Sequence, residues 1–121
     1  MPVRSLNSSV HKWPTGERVL TATREWAEAL AREHPGVVKV GVFGSYARGD
    51  AGVGSDLDIV VVVTDDTRPF ERRTLGDPTE LPLCADILTY TVPEWRKLLS
   101  GESRFAETMR AEVRWLVGPS E

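Results

Sequence analysis

Two runs of β-branched residues, Val37 to Phe43 (VVKVGVF) and Ile59 to Val63 (IVVVV), read as buried strands, and they are joined by a stretch that belongs to neither. The joining stretch, Gly44 to Asp58 (GSYARGDAGVGSDLD), is polar and rich in glycine. Gly44 falls where the first strand ends, and Ser45 falls where a short helical turn can begin. Backbone N–H groups at such a turn bind anions, and a glycine lets a phosphate approach the main chain. The loop therefore reads as a phosphate cradle.

Asp56 and Asp58 stand two apart at the start of the second strand, and strand side chains alternate, so both carboxylates project to one face. Leu57 and Ile59 then point the other way, into a core. Two anions opening an apolar run repel each other and resist desolvation unless a cation sits between them. A hard divalent ion such as Mg²⁺ is the simplest candidate, because it takes carboxylate oxygens and shares its other positions with water and substrate phosphates. Two other motifs come near and fail. Gly44 and Gly49 have P-loop spacing, but Asp50 and Ala51 occupy the places of its lysine and Ser/Thr. Asp56-Leu57-Asp58 opens like a calcium loop, but Val60 and Val61 take the next ligand and glycine positions. His11 and His34 are isolated and form no zinc pattern, and no Ser-His-Asp grouping is supported by spacing.

The residues resemble a known family at this point. Gly44-Ser45, ten intervening residues and Asp56-Leu57-Asp58 resemble the G-S-x10-D-x-D signature of the nucleotidyltransferase superfamily related to DNA polymerase β. The fuller wording, Gly44-Ser45-Tyr46-Ala47-Arg48-Gly49-Asp50 followed by Ser55-Asp56-Leu57-Asp58-Ile59, is similar to the minimal nucleotidyltransferases of bacteria and archaea, MntA-type antitoxins among them. The resemblance runs from about the first helix to the last strand. It implies a third carboxylate on a later strand, which Asp86 in Leu83-Cys84-Ala85-Asp86-Ile87-Leu88 can supply. Asp56, Asp58 and Asp86 would then be catalytic and would hold two Mg²⁺ ions about 3.5–4 Å apart. Asp86 would also take the proton of the acceptor hydroxyl. Gly44 and Ser45 would bind the β- and γ-phosphates. Arg48, one helical turn on, either reaches the same phosphates or stabilises the loop, and Ser55 either caps the loop or braces Asp56. Asp50 is read as a peripheral charge.

The resemblance further implies transfer of a nucleoside monophosphate, AMP from ATP, to a hydroxyl. The acceptor it suggests is a tyrosine of a HEPN-type toxin partner, with this chain as antitoxin. Two rivals stand beside that reading: transfer to a small molecule of the aminoglycoside kind, and a binding module that neutralises its partner without turnover. Labelled ATP and Mg²⁺, with and without the partner, separate them.

The 121 residues suggest one domain, 15–121, behind an N-terminal arm, 1–14, with no room for a second acceptor-binding domain. A net charge of -3 argues against general nucleic-acid binding, while leaving a nucleotide substrate open. The single cysteine, Cys84, lies in an apolar strand and is expected to be a small buried hydrophobe, which suits a reducing cytoplasm. No signal peptide and no membrane-length apolar run is visible.

Along the chain, Thr15 caps a helix whose apolar stripe is Val19, Thr23, Trp26, Ala27, Leu30 and Ala31, closed by Pro35-Gly36. Residues 64–82 read as a long surface loop with one helical turn around Arg68 to Thr74, its Arg68, Arg72 and Arg73 read as a solvated charge run, with contact to a nucleotide or a partner protein as the alternative. Leu83 to Tyr90 alternates as a strand, and Thr91-Val92-Pro93-Glu94 opens a helix with a capping box. A further helix spans Ser103 to Ala111, and Val113, Trp115 and Val117 form a terminal strand. Trp13, Trp95 and Trp115 are expected in the core, with an interface role as the alternative. This order predicts an α/β (α+β) domain, a mixed sheet with helices mainly on one side, of polymerase β-like type.

Overall fold

The computed structural model describes residues 15–66, 68 and 75–118. The Thr15 hydroxyl accepts the Arg18 N–H at 3.2 Å and starts α1 (Gly16–Glu33), which buries Val19, Thr23, Trp26, Ala27 and Leu30 along one stripe. Strand β1 (Val37–Phe43) leads into the short helix α2 (Ser45–Arg48), and β2 (Leu57–Val63) returns beside it. A 3-10 turn (Pro78–Glu80) precedes β3 (Ala85–Thr91), which is followed by α3 (Val92–Leu99), α4 (Arg104–Glu112) and β4 (Arg114–Val117).

The four strands form one sheet in the order β3-β2-β1-β4. β1 is antiparallel to both β2 and β4, while β2 and β3 are parallel, so the sheet is mixed and the fold class is the expected one. The helices are shared between its two faces, where the sequence reading put them mainly on one. Ile59, Val61 and Val63 pack with Val40, Val42 and the α1 stripe. Val60 and Val62 pack on the opposite face with Trp95 of α3 and Met109 of α4. The reason is in β2 itself: both its odd and its even positions are aliphatic, so both faces must be covered.

The face under α3 and α4 contains an unusual buried cation. Lys39 lies with its ammonium 4.2 Å from the centre of the Trp115 ring and 5.9 Å from that of Trp95, and aromatic faces offset part of its desolvation. Trp95 is buried and Trp115 half-buried, in an edge-to-face pair 5.6 Å apart. Gly41 is where β4 comes closest, because a Cβ there would meet Trp115, Val113 and the Arg114 carbonyl at 2.8–2.9 Å.

In the connection from β2 to β3, the described residues from Leu75 onward pack on the α1 face. Leu75, Leu81 and Leu83 pack into the α1 cluster, and the Trp26 indole N–H donates to the Asp77 carbonyl at 3.1 Å. The predicted turn around Arg68 to Thr74 and the roles of Arg72 and Arg73 lie outside the described residues, as do the arm 1–14 and Trp13. Arg68 pairs with Asp66 at 2.6 Å. Cys84 is exposed, which corrects its reading as a buried hydrophobe. It stands just before β3, on the sheet's edge strand. The capping box of α3 is formed: Thr91 Oγ1 accepts the Glu94 N–H at 3.3 Å and Glu94 accepts the Thr91 N–H at 2.9 Å. Among the described residues no helix is long and apolar enough to cross a membrane.

Candidate active site

β1 ends at Phe43, and the chain turns sharply at Gly44, whose φ of 77° and ψ of -153° lie in a region almost closed to other residues. A side chain is excluded for a second reason, since a Cβ at Gly44 would collide with Oδ2 of Asp58. The turn and the carboxylate therefore press against each other. The Gly44 carbonyl accepts the N–H groups of Ala47 and Arg48, each at 3.0 Å, which closes α2, and no side chain caps its first turn. Tyr46 is buried against the α1 cluster and anchors α2 from beneath. Ser45 is the first helical residue and is half-buried.

The carboxylates come from two strands. In the parallel β2–β3 ladder, Asp58 is the register partner of Asp86, so their side chains leave the same face of strands about 4.8 Å apart. Asp56 precedes β2 by one residue and is exposed, as is Asp86, while Asp58 is half-buried. Burial raises the Asp58 pKa above the usual carboxylate range, the charges of Asp86 and Asp56 raise it further, and Arg48 opposes them. Among the described residues, no three His, Cys, Asp or Glu side chains are grouped closely enough to be a ready-made metal cage. Asp56 and Asp86 are exposed, so a change of rotamer toward Asp58 disturbs no packing. The donors are hard carboxylate oxygens around a desolvated, like-charged centre, a set that fits Mg²⁺ better than a soft metal.

The other residues singled out from the sequence lie around this centre. Arg48 makes two ion pairs, to Asp50 and to Glu112 at the end of α4, both at 3.1 Å. In this arrangement it ties the loop to α4 while its charge still reaches Asp58. Asp50 is thus the partner of Arg48. Ser55 closes a turn with Gly52: its Oγ accepts the Gly52 N–H at 2.9 Å and its own N–H donates to the Gly52 carbonyl at 3.0 Å. Glu112 escaped the sequence reading, and no local pattern signals a pairing across 64 positions.

Across β1, the register partner of Asp58 is Phe43. Phe43 meets Phe105 of α4 edge-on, with ring centres 6.1 Å apart. Concavity alone does not locate the chemistry here. A cavity of about 690 Å³ lined by His34, Thr64, Asp66 and Glu94 opens at the opposite ends of β2 and β3 from the aspartates.

Three comparisons with known proteins bear on this arrangement. A candidate nucleotidyltransferase from Sulfolobus solfataricus shares 25% identity over 72% of this chain and 83% of its own, with a TM-score of 0.51. A chain from the structure of a toxin–antitoxin with AMP-PNP shares the fold at 19% identity, with a TM-score of 0.55 over 79% of this chain and 73% of that one. No curated protein matches the sequence. Residues 23–105 match the model of the nucleotidyltransferase domain, a span that runs from the middle of α1 through the glycine turn and the aspartates into α4. The chain belongs to the nucleotidyltransferase domain family.

Proposed function

We propose that this chain is a Mg²⁺-dependent nucleotidyltransferase of the MntA antitoxin type, which moves AMP from ATP to a tyrosine hydroxyl of a HEPN-type toxin in the cytoplasm. Residues 15–121 act as a single domain in this reading, behind the arm 1–14. The observation that carries it is the register pairing of Asp58 with Asp86 beside a glycine turn that leaves no room for a side chain. The fold shared with a toxin–antitoxin structure containing AMP-PNP, an ATP analogue, supports the nucleotide and the kind of partner.

Gly44 and Ser45 hold the β- and γ-phosphates, the glycine by letting them approach the main chain and the serine by its hydroxyl. Asp56, Asp58 and Asp86 hold Mg²⁺, which, when bound, neutralises phosphate charge and lowers the pKa of the attacking hydroxyl. Asp86 lies on the edge strand, open to an incoming partner, and accepts the hydroxyl proton. The acceptor oxygen forms a bond to the α-phosphorus as the bond from that phosphorus to the β-phosphate oxygen breaks, and pyrophosphate leaves. Arg48 keeps the loop against α4 through Glu112, so that Asp58 and the turn hold their separation.

The test is incubation with ATP labelled at the α-phosphate and Mg²⁺, with and without the toxin. Label is expected on the toxin, and Asp58→Asn is expected to reduce transfer more than about 100-fold, since even outer-shell partners of a metal contribute 10–100-fold. Label on a small hydroxylated acceptor instead would move the reading to the small-molecule rival. Tight toxin binding without label would make the chain a pure binder.

A further inference from the structure

The Asp58 register row continues past the carboxylates. Asp86, Asp58 and Phe43 are successive partners across β3, β2 and β1, so one face of the sheet carries an acid, an acid and an aromatic ring in a line. Phe105 extends the line onto α4 by its edge-on contact with Phe43. Phe105 is 36% exposed and Val53 84% exposed, and they are the exposed large hydrophobics among the described residues. A partly exposed ring, joined through Phe43 to the strand position opposite Asp58, offers apolar aromatic surface to a flat, partly polar occupant.

We infer that Phe105, supported by Phe43, is the stacking platform for the base of the nucleoside triphosphate. The inference rests on the nucleotidyltransferase reading above and deepens it. Phe43 is followed directly by Gly44 and Ser45, so the rings adjoin the end of the site where that reading puts the triphosphate. Asp86, which serves the acceptor, is at the opposite end of the row, on the edge strand. An acceptor entering over Asp86 therefore leaves the Phe43 flank to the nucleoside. Every base has a π-face, so a phenylalanine platform sets affinity with little discrimination among bases.

The test measures binding of ATP and of inorganic tripolyphosphate, each with Mg²⁺, by calorimetry in the wild type, Phe105→Leu and Phe105→Trp. Leucine keeps the apolar bulk on α4 and removes the ring. ATP affinity is expected to fall about tenfold or more in Phe105→Leu and to be retained in Phe105→Trp, while tripolyphosphate affinity stays the same in all three. Unchanged ATP affinity in Phe105→Leu overturns the inference and leaves the nucleotidyltransferase reading intact. So does a loss of toxin labelling at unchanged ATP affinity, which would put the ring against the acceptor. A wild type that binds neither ATP nor tripolyphosphate overturns both.

Discussion

Asp58 is held in a position that a carboxylate would not choose. It is partly desolvated, it faces Asp86 and Asp56, and among the described residues Arg48 opposes them. Its pKa in the folded state therefore lies above the ordinary value of about 3.9, so the folded chain binds that proton more tightly than the unfolded one. The sign follows: below the unfolded pKa the group is protonated in both states and imposes no penalty, and the penalty grows as pH rises through the folded pKa. Without divalent cations, Asp58→Asn is expected to melt at a higher temperature than wild type at pH 7, with the gain shrinking toward zero below about pH 4. Thermal melts in EDTA across that range measure it, and a gain of equal size at both ends would mean that charge is not its cause. Gly44 is bound to the same residue, because its Cα stands where only a hydrogen can face Asp58 Oδ2.

At the scale of elements, the parallel pairing of β2 with β3 is what sets Asp58 beside Asp86, and a parallel pair requires a crossover. The crossover between Val63 and Ala85 relies for its hold on α1 on the Trp26 bond to Asp77 and on Leu75, Leu81 and Leu83. Trp26→Phe keeps a ring in the cluster and removes the N–H, so it is expected to cost about 0.5–1.5 kcal/mol in urea unfolding. Protease cleavage within the crossover should rise with it. A cost below that range, with cleavage unchanged, would show that the leucines alone secure the segment. The elements themselves were largely legible, because their signals are local: the Thr15 cap, the β-branched runs, and the Thr91–Glu94 box all act within a few residues. What could not be read is what the register decides. The distribution of helices over both faces is an exception, since β2 is aliphatic at odd and even positions alike and carries that signal in its own residues. The exposure of Cys84 and the Arg48–Glu112 pair depend on where the third strand and the last helix settle, and nothing near those residues in sequence announces it.

The whole molecule is a small sheet covered on both faces, with Asp56, Asp58 and Asp86 at the leading ends of β2 and β3 and a net charge of -3. Arg48, the cation whose charge reaches Asp58, is already shared between Asp50 and Glu112. A divalent cation that binds the folded chain alone stabilises it by mass action, by about 2.7 kcal/mol at a hundred times its Kd. For a domain of this size that corresponds to a rise in Tm of roughly 5–15 °C. Saturating Mg²⁺ is expected to produce such a rise in the wild type at pH 7 and little in Asp58→Asn. The variant begins from the higher Tm argued above, so wild type and variant should converge as Mg²⁺ is added. Matched ionic strength from a monovalent salt serves as the control, because general screening relieves the repulsion among the aspartates without filling a site. An equal Mg²⁺ response in both proteins would place the ion elsewhere. The Asp65, Asp66 and Glu94 end of the sheet is the first place to look, since its acids border a cavity that Asp58→Asn leaves untouched.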